Sequence, residues 1–404
     1  VDDPNIQRKT SEIYINHIHP ESDLLNKIKL YPRHKKIRLG YFSPDFRDHP
    51  VSDLTAELYE THDRDKFEIF AFSFGADTKD KMNLRIKSGV DHFHDVCKMS
   101  YEEVVRLSRS FEIDIAVDLG GFTANTRTNV FAMSVAPIQI SYIGYLGTMG
   151  TKYYDYLIAD KTIIPEKNQK YYTEKIVYLP CFQVNDSKQV VPNNFFTRKD
   201  IGLPEKGFVF CCFNNTFKIT PSTFDSWARI LGKVDDSVLL IYADNESAKR
   251  NLTNEIVKRG INSSRLIFGD RLPKLDYLAR YRVADLFLDT HPYNAGTTAS
   301  DALRMGLPIL TYTGNSFPSR MASSLLNAIN LQELIASSQE HYEDIAIELG
   351  LNPNKLEIIK EKLIDNLSTS ELYDTPLFTK NIEAAYTQMY ERYQNELEPD
   401  HIYV

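Results

Sequence analysis

The stretch ADLFLDTHPYNAGTTASDALRMGLPIL, from Ala284 to Leu310, carries the clearest structural pattern in the chain. Its apolar run Leu286–Leu288 ends in Asp289, which is typical of a parallel strand that is buried on both faces and delivers its loop to a ligand crevice. A glycine-bearing loop, a short helix and a second apolar strand follow. The stretch therefore predicts one strand–loop–helix–strand unit of a doubly wound α/β sheet.

The same stretch carries side chains suited to a nucleotide. Thr297 and Thr298 are predicted to cap the helix, whose free N–H groups and positive dipole end attract an anion such as a diphosphate. Asp301 lies one turn into that helix, where its carboxylate is placed to accept hydrogen bonds from ribose hydroxyls. Gly306 and Pro308 are expected to end the helix.

The composition fits two folded domains. The chain has 404 residues, of which 42% are hydrophobic, so it can bury substantial cores. A net charge of −8 argues against a nucleic-acid-binding protein, since that function usually needs a basic face. No apolar run approaches the roughly 18 residues that span a bilayer, and no signal peptide opens the chain. We therefore expect a cytoplasmic protein with neither nucleic acid nor membrane as a partner.

Alternating strand and helix patterns divide the chain into two series, each predicting a parallel sheet with helices. A polar stretch without periodicity, carrying Pro192 and Pro204, separates the two. The predicted segments are a helical segment at 1–33, a first Rossmann-like lobe at 34–185, a linker at 186–206, a second Rossmann-like lobe at 207–375 and a final helix at 376–404.

Cysteine and histidine patterns give little sign of a metal. His92 and His94 in DHFHDV lie on one strand face, but no third ligand is evident, and a partly exposed edge strand is the commoner explanation. The cysteines lack a metal-ligand spacing, and we interpret all four as reduced cytosolic thiols: Cys97, Cys181, Cys211 and Cys212.

Two such sheets in tandem, sending glycine-rich loops toward a shared cleft, form the layout of nucleotide-sugar glycosyltransferases of the GT-B type. Periplasmic binding proteins, sugar epimerases and two-domain dehydrogenases show a similar alternation. The chain lacks GxGxxG after its first strand and lacks GxxxxGK[ST], which weakens the dehydrogenase and NTPase interpretations. Lys218 and His49, each in the first loop of its lobe, are candidate polar groups of the cleft, against the plain alternatives of a solvated lysine and a structural histidine.

No DxD signature of metal-dependent glycosyl transfer follows a strand. The charge of a bound diphosphate must then be neutralised by Lys218, the helix dipole and Arg280 or Lys274. The sequence therefore predicts a site without a metal or other cofactor.

Several long motifs together resemble the catalytic region of protein O-linked N-acetylglucosamine transferases in a bacterial form, over about residues 35–393: GYFSPDFRDHPVSDL, VDLGGFTANTR, APIQISYIGYLGTMG, FNNTFKITPSTFDSWARIL and ADLFLDTHPYNAGTTASDALRMGLPIL. The resemblance implies a GT-B fold and metal-free, inverting transfer of GlcNAc from UDP-GlcNAc to Ser or Thr of acceptor proteins. Tetratricopeptide repeats usually precede this region, and residues 1–33 are similar to the end of such an array.

The resemblance also implies individual roles. Lys218 matches the essential diphosphate-binding lysine, and Asn215 stands where animal enzymes have glutamine. Other positions match residues that bind the nucleotide sugar or line its cleft: Thr297 and Thr298 for the diphosphate, Asp301 for the ribose, Lys274 and Arg280 around the uracil and phosphates, Tyr277 in place of the histidine that packs on uracil, His49 near the sugar, and Thr123, Gly144 and Tyr145 along the sugar and acceptor cleft. Gly296 replaces a histidine and Leu146 a proline, which leaves the identity of the sugar open.

Two alternatives remain. A relative within the superfamily would use UDP-glucose or GDP-fucose as donor, and Asp301, rather than a glutamate, favours UDP. A peptide-binding scaffold without activity is the other alternative, and the presence of Lys218, His49 and Asp301 argues against it.

Overall fold

The computed structural model describes residues 1–22 and 24–404. It divides into two compact units. The first unit comprises Val1, Asp3–Lys188 and Glu371–Val404, and the second comprises Asp2 and Gln189–Ser370. Each unit is built around one parallel sheet, as predicted.

The first unit has β1 at the centre of its sheet. The strands are β1 (Ile37–Ser43), β2 (Phe67–Ser73), β3 (His92–Asp95), β4 (Ile115–Asp118), β5 (Ile138–Ser141), β6 (Tyr156–Ala159) and β7 (Lys175–Tyr178). They run parallel in the order β7-β6-β5-β4-β1-β2-β3. The chain fills the sheet from β1 in one direction and from β4 in the other, so the topological switch point lies between these two strands.

Most helices of the first unit begin at residues whose side chains cap them, the short helix Asn129–Ala132 being an exception. Ser100 and Glu103 form a capping box, and Pro50 occupies the first turn of the helix that follows His49. The helices are α1 (Pro4–Ile18), α2 (Pro50–Thr61), α3 (Lys81–Gly89), α4 (Tyr101–Ser110) and α5 (Asn129–Ala132). Of the predicted helical segment 1–33, the structure describes residues 1–22 and 24–33, and among these α1 is the only helix.

The second unit repeats this arrangement. Its strands are β8 (Val209–Cys212), β9 (Val238–Tyr242), β10 (Leu266–Gly269), β11 (Leu286–Leu288), β12 (Ile309–Tyr312) and β13 (Ile335–Ala336), parallel in the order β10-β9-β8-β11-β12-β13. The switch point lies between β8 and β11. The predicted site loops therefore leave the two strands that flank it.

Helices connect these strands in the second unit. They are α6 (Pro221–Lys233), α7 (Glu246–Lys258), α8 (Lys274–Arg280), α9 (Thr297–Arg304), α10 (Met321–Ala328), α11 (Gln339–Leu351) and α12 (Pro353–Leu367). Thr220 caps α6 and Pro221 opens it, as predicted. After α9, Gly306 adopts a left-handed conformation with φ +77, and the N–H of Leu307 donates to the carbonyl of Ala302, which confirms a glycine-terminated helix.

The chain then returns to the first unit. Helix α13 (Thr375–Gln394) buries Ile382, Tyr386 and Met389 there, and β14 (Ile402–Tyr403) pairs in parallel with β7 at the edge of the sheet. The sequence predicts only a final helix at 376–404 and gives no sign of this strand. A two-residue strand is too short to show a period, and its place depends on the packing of α13.

His92 and His94 lie on an edge strand, which agrees with the commoner explanation given for them in the sequence analysis. Strand β3 is an edge strand, His92 contacts Glu68 through Nε2 at 3.0 Å, and His94 stacks on Phe111 with ring centroids 4.8 Å apart. Among residues 1–22 and 24–404, no group of three or more His, Cys, Asp or Glu side chains is arranged to hold a metal ion. None of the helices in this part of the chain is long and apolar enough to cross a membrane.

Candidate active site

The loops at the switch point of the second unit bring together most of the predicted nucleotide-binding residues. One loop follows β8 and contains Asn215 and Lys218, and the other follows β11 and leads into α9. Open parallel sheets bind ligands outside the carboxyl ends of the strands at this position. The two loops are joined directly, because Lys218 Nζ donates a 3.0 Å hydrogen bond to the carbonyl oxygen of Asn294.

Lys218 is not an ordinary solvated lysine. It ends the 3₁₀ turn Thr216–Lys218, and its half-buried ammonium lies 4.2 Å from the centroid of the Tyr293 ring. Burial lowers the pKa of Lys218, and the nearby carboxylate of Asp289 partly restores it. A cation held in this way is already oriented before a ligand arrives. Asn215, on the same loop, is exposed.

Helix α9 begins differently from the sequence-based prediction. Thr297 and Thr298 are its first two residues, and Gly296 is the N-cap. The predicted capping role of the two threonines is therefore wrong, because both already have helical positions. Glycine has no side chain to accept hydrogen bonds from the first turn, and no side-chain cap is formed there. This helix end keeps its capacity to bind an anion through backbone N–H groups.

Asp301 lies one turn into α9, as predicted, and is buried. Its Oδ1 accepts a 3.3 Å hydrogen bond from Gln189 Nε2. Tyr277 lies nearby on α8, half-buried, and its hydroxyl hydrogen-bonds to that of Tyr281. Burial raises the pKa of Tyr277, and the charge of Asp301 raises it further. An aromatic ring and a carboxylate are thus close enough to interact, as recognition of a base and its ribose requires.

The two basic residues of α8 occupy different positions. Lys274 opens the helix and is half-buried, whereas Arg280 is only 2% exposed. The guanidinium of Arg280 lies 4.2 Å from the Phe213 ring centroid and 5.8 Å from that of Tyr277, and Nη1 donates to the carbonyl of Asp270 at 2.7 Å. The buried guanidinium of Arg280 therefore lies against the rings of Phe213 and Tyr277.

Asp289 organises this site, although the sequence analysis gave it no role beyond ending the strand. It is 3% exposed, and its Oδ1 accepts hydrogen bonds from the backbone N–H groups of Thr290 and Ala295, both at 2.8 Å. Its Oδ2 accepts from the hydroxyl of Thr311 at 2.7 Å. One carboxylate thus holds both ends of the loop that leads to α9. The signal was an aspartate directly after an apolar strand and before a glycine-bearing loop.

His49, in the first unit, is the N-cap of α2. Its Nδ1 accepts a 3.2 Å hydrogen bond from the backbone N–H of Val51 and lies 3.7 Å from Oδ2 of Asp45. Burial lowers the pKa of His49, so the neutral ring is favoured. Because Nδ1 accepts a hydrogen bond, the neutral ring carries its proton on Nε2. His49 thus offers a ligand a hydrogen-bond donor.

Two further loops of the first unit carry the remaining predicted residues. Thr123 is exposed after β4. Gly144 follows β5 in close contact with the backbone, since a Cβ there would lie 2.1 Å from the carbonyl oxygen of Leu119. Tyr145 packs edge-to-face on Phe122, with centroids 4.9 Å apart. Gly144 is therefore required for the close approach of two loops.

A buried aspartate also organises the loop after β4. Asp118 Oδ1 accepts hydrogen bonds from the N–H groups of Gly120 and Gly121, at 2.9 and 3.1 Å, and Tyr154 donates to Oδ2 at 2.5 Å. The two units therefore use the same device at their switch points, with Asp118 on β4 in one and Asp289 after β11 in the other.

Comparison with known proteins identifies relatives over most of the chain. The family described as Glycosyl transferase family 41 matches residues 12–195 and 192–382. The chain is 35% identical over 377 residues to the probable UDP-N-acetylglucosamine–peptide N-acetylglucosaminyltransferase SEC of Arabidopsis thaliana, covering 92% of this chain and 39% of that protein. It is 32% identical over 373 residues to the SPINDLY protein of Hordeum vulgare, which bears the same probable activity in its name, covering 88% and 38%. The chain spans about two fifths of the length of these relatives.

A solved structure also resembles the chain over nearly its whole length. An O-GlcNAc transferase variant from Thermobaculum terrenum is 30% identical, with a TM-score of 0.90 over 98% of this chain and 76% of that one. The fold is therefore the GT-B fold predicted from the sequence, with two Rossmann-like units.

Proposed function

The chain belongs to glycosyl transferase family 41, and on that basis we propose that it transfers GlcNAc from UDP-GlcNAc to Ser or Thr hydroxyls of acceptor proteins, with inversion and without a metal. The observation that carries the proposal is the half-buried Lys218 ammonium, bonded to the loop that leads into the uncapped end of α9. These groups together suit a diphosphate.

The donor is recognised in parts. Lys218 and the first-turn N–H groups of Thr297 and Thr298 receive the diphosphate. Asp301 accepts hydrogen bonds from the ribose, and the ring of Tyr277, supported by Arg280, stacks on the base. The positions of Lys274 and Asn215 suit outer contacts to the phosphates.

The chemical step follows from charge. As the bond between the sugar and the diphosphate breaks, negative charge grows on the leaving phosphate oxygen. A preorganised ammonium and helix N–H groups stabilise that charge more in the transition state than in the bound donor, so they increase the rate. The acceptor hydroxyl attacks from the opposite face, which inverts the anomeric carbon.

His49 acts as a donor that orients the substrate. Its neutral ring already carries a proton on Nε2 and therefore cannot take another one there, so this atom donates to the sugar or acceptor. The proton of the acceptor hydroxyl goes to another group, such as a phosphate oxygen of the donor.

We expect His49→Asn to keep part of the turnover and His49→Ala to lose it. Asparagine is a good N-cap and also supplies an N–H donor, whereas alanine supplies neither and should lower the free energy of unfolding by about 1 kcal/mol. His49→Ser, which caps but is too short to replace the donor, is the matched control and should be as inactive as Ala. A pH–rate profile whose acidic limb disappears in all three variants would instead make His49 the general base.

We expect EDTA to leave turnover unchanged, because the cationic and N–H groups named above neutralise the diphosphate without an ion. The measurement is transfer from UDP-GlcNAc to a peptide library after exhaustive dialysis, with and without Mg²⁺ or Mn²⁺. Strict dependence on an added divalent ion would contradict the metal-free mechanism.

A donor panel tests the proposal against its alternatives. UDP-GlcNAc, UDP-glucose and GDP-fucose are offered separately with Ser/Thr peptides, and calorimetry with UDP and GDP reports binding without turnover. Preferential transfer from UDP-GlcNAc supports the proposal. Preferential transfer from UDP-glucose or GDP-fucose would instead support the alternative of a relative with another donor. A protein that binds the peptides but neither UDP nor GDP would support the alternative of a peptide-binding scaffold without activity.

A further inference from the structure

One peptide group of the second unit lies between a buried anion and a half-buried cation. The carbonyl oxygen of the Asn294–Ala295 peptide accepts the 3.0 Å hydrogen bond from Lys218 Nζ. The N–H of the same peptide donates to Oδ1 of Asp289 at 2.8 Å. The charges thus act on opposite ends of one peptide dipole, and each hydrogen bond polarises the peptide in the direction that strengthens the other.

The carboxylate of Asp289 is fixed by more than this contact. Besides the N–H groups of Thr290 and Ala295, Asn214 Nδ2 donates to Oδ1 at 3.1 Å and the Thr311 hydroxyl donates to Oδ2. Four donors to one buried carboxylate stabilise its ionised form. Burial acts in the other direction and raises the pKa of Asp289 to about 6, so the group is ionised at neutral pH.

We propose that Asp289 is the counter-ion of Lys218, coupled to it through the Asn294–Ala295 peptide, and that it keeps the ammonium charged and oriented toward an incoming diphosphate. The role given to the ammonium rests on the proposed function, since it is the diphosphate that Lys218 would receive. Asp289 acts through the loop and Lys218, and is therefore a positioning residue.

Three other titratable groups near this pair, which are Cys212, Tyr342 and His291, are neutral. Cys212 interacts with both charges, and burial raises the pKa of its thiol. The Tyr342 hydroxyl donates to the backbone carbonyl of Asp289 at 3.1 Å, and burial raises its pKa also. Burial lowers the pKa of His291, on the same loop. The negative charge that opposes the desolvation of Lys218 is thus that of Asp289.

The variant Asp289→Asn separates the charge from the hydrogen bonds. Its amide oxygen can accept the same three N–H groups, and its amide nitrogen can donate to the Thr311 hydroxyl, which also accepts hydrogen bonds. Thr311→Val is the matched control, because it removes one hydrogen bond from the same network and leaves the charge in place.

The experiment is an NMR titration of protein labelled at the lysine ε-carbon, with the Lys218 signal assigned by its loss in Lys218→Met. We expect Asp289→Asn to increase the acid dissociation constant of Lys218 about tenfold, which is a fall of about 1 in its pKa. Thr311→Val should leave the pKa near the parent value. An equal pKa for Lys218 in the parent and in Asp289→Asn would overturn the proposal.

The reciprocal measurement does not depend on folding of the Asp289 variant. Coupling between two sites is mutual, so Lys218→Met should raise the pKa of Asp289, followed through its side-chain carboxyl carbon. An unchanged Asp289 pKa in that variant would also overturn the proposal. Failure of the proposed function is distinguishable, because it appears as absence of UDP binding by a protein in which both pKa shifts are observed.

Discussion

Replacing Lys218 with Met should reduce turnover with UDP-GlcNAc by on the order of a hundredfold or more, the usual effect of losing one preorganised group that stabilises developing charge. The half-buried ammonium is held by the Asn294 carbonyl and the Tyr293 ring. Methionine fills a similar volume without charge, so the leaving phosphate would lose this stabilisation. Donor affinity should fall less than turnover, because the interaction strengthens as the bond breaks.

Lys258→Met is the matched control for this prediction. Lys258 belongs to the same unit but is exposed on α7, where its ammonium forms a 2.7 Å ion pair with Glu255. Its replacement should leave both turnover and donor affinity unchanged. Single-turnover kinetics with saturating donor isolate the chemical step. If Lys218→Met retained near-normal turnover, Lys218 would have no part in the mechanism.

Replacing Asp301 with Ala should weaken UDP binding by about 1–3 kcal/mol, the usual effect of removing the partner of a buried polar group. The carboxylate is buried one turn into α9 beside Tyr277, where a ribose would lie between the base and the diphosphate. The loss should shrink for 2′,3′-dideoxy-UDP, because that nucleotide has no ribose hydroxyls to donate. Calorimetry with both nucleotides measures the difference.

Two control variants distinguish this role from local structure. Gln189→Ala removes the observed hydrogen bond to Asp301 while keeping the carboxylate, and Asp365→Ala removes an exposed carboxylate elsewhere in the unit. Neither should reproduce the loss of affinity. Equal losses for UDP and its dideoxy analogue in Asp301→Ala would place the carboxylate away from the ribose.

The fold was largely predictable because buried parallel strands show as apolar runs and their loops carry glycine. The run Leu286–Leu288 and the helix after it lie as the pattern predicts. The return of the chain to the first unit was not predictable. Strand β14 is formed by only Ile402 and Tyr403, and no local pattern specifies that they pair with β7.

The site was predictable at the level of loops but less so at the level of hydrogen bonds. The positions of Lys218 and Asp301 on their elements follow from the pattern. The N-cap at Gly296 does not, because glycine and threonine are about equally good N-caps and the sequence GTT does not decide between them. The backbone N–H of Val51 donates a hydrogen bond to Nδ1 of His49 and so determines the tautomer of the ring. This hydrogen bond depends on the rotamer of His49, which the sequence does not specify.

The local sequence around Asp118 and Asp289 contains a signal for their role in organising the loops. Asp118 stands in VDLGG and Asp289 in LDTHPYNAG, each directly at the end of an apolar strand and before a loop with glycine. Aspartate side chains commonly accept hydrogen bonds from backbone N–H groups two or three residues ahead, and Asp118 does so with Gly120 and Gly121. The longer reach from Asp289 to Ala295 depends on the path of the whole loop.

Mass spectrometry of Ser/Thr-containing peptides incubated with UDP-GlcNAc and EDTA tests the proposed activity most directly. Parent protein, Lys258→Met and Lys218→Met are compared in parallel, and the modified residue is located by fragmentation. We expect one N-acetylhexosamine on Ser or Thr with the parent and Lys258→Met, and almost none with Lys218→Met. The proposed activity would be contradicted if a parent protein that is folded and binds UDP modified no peptide, or if Lys218→Met modified the peptides equally.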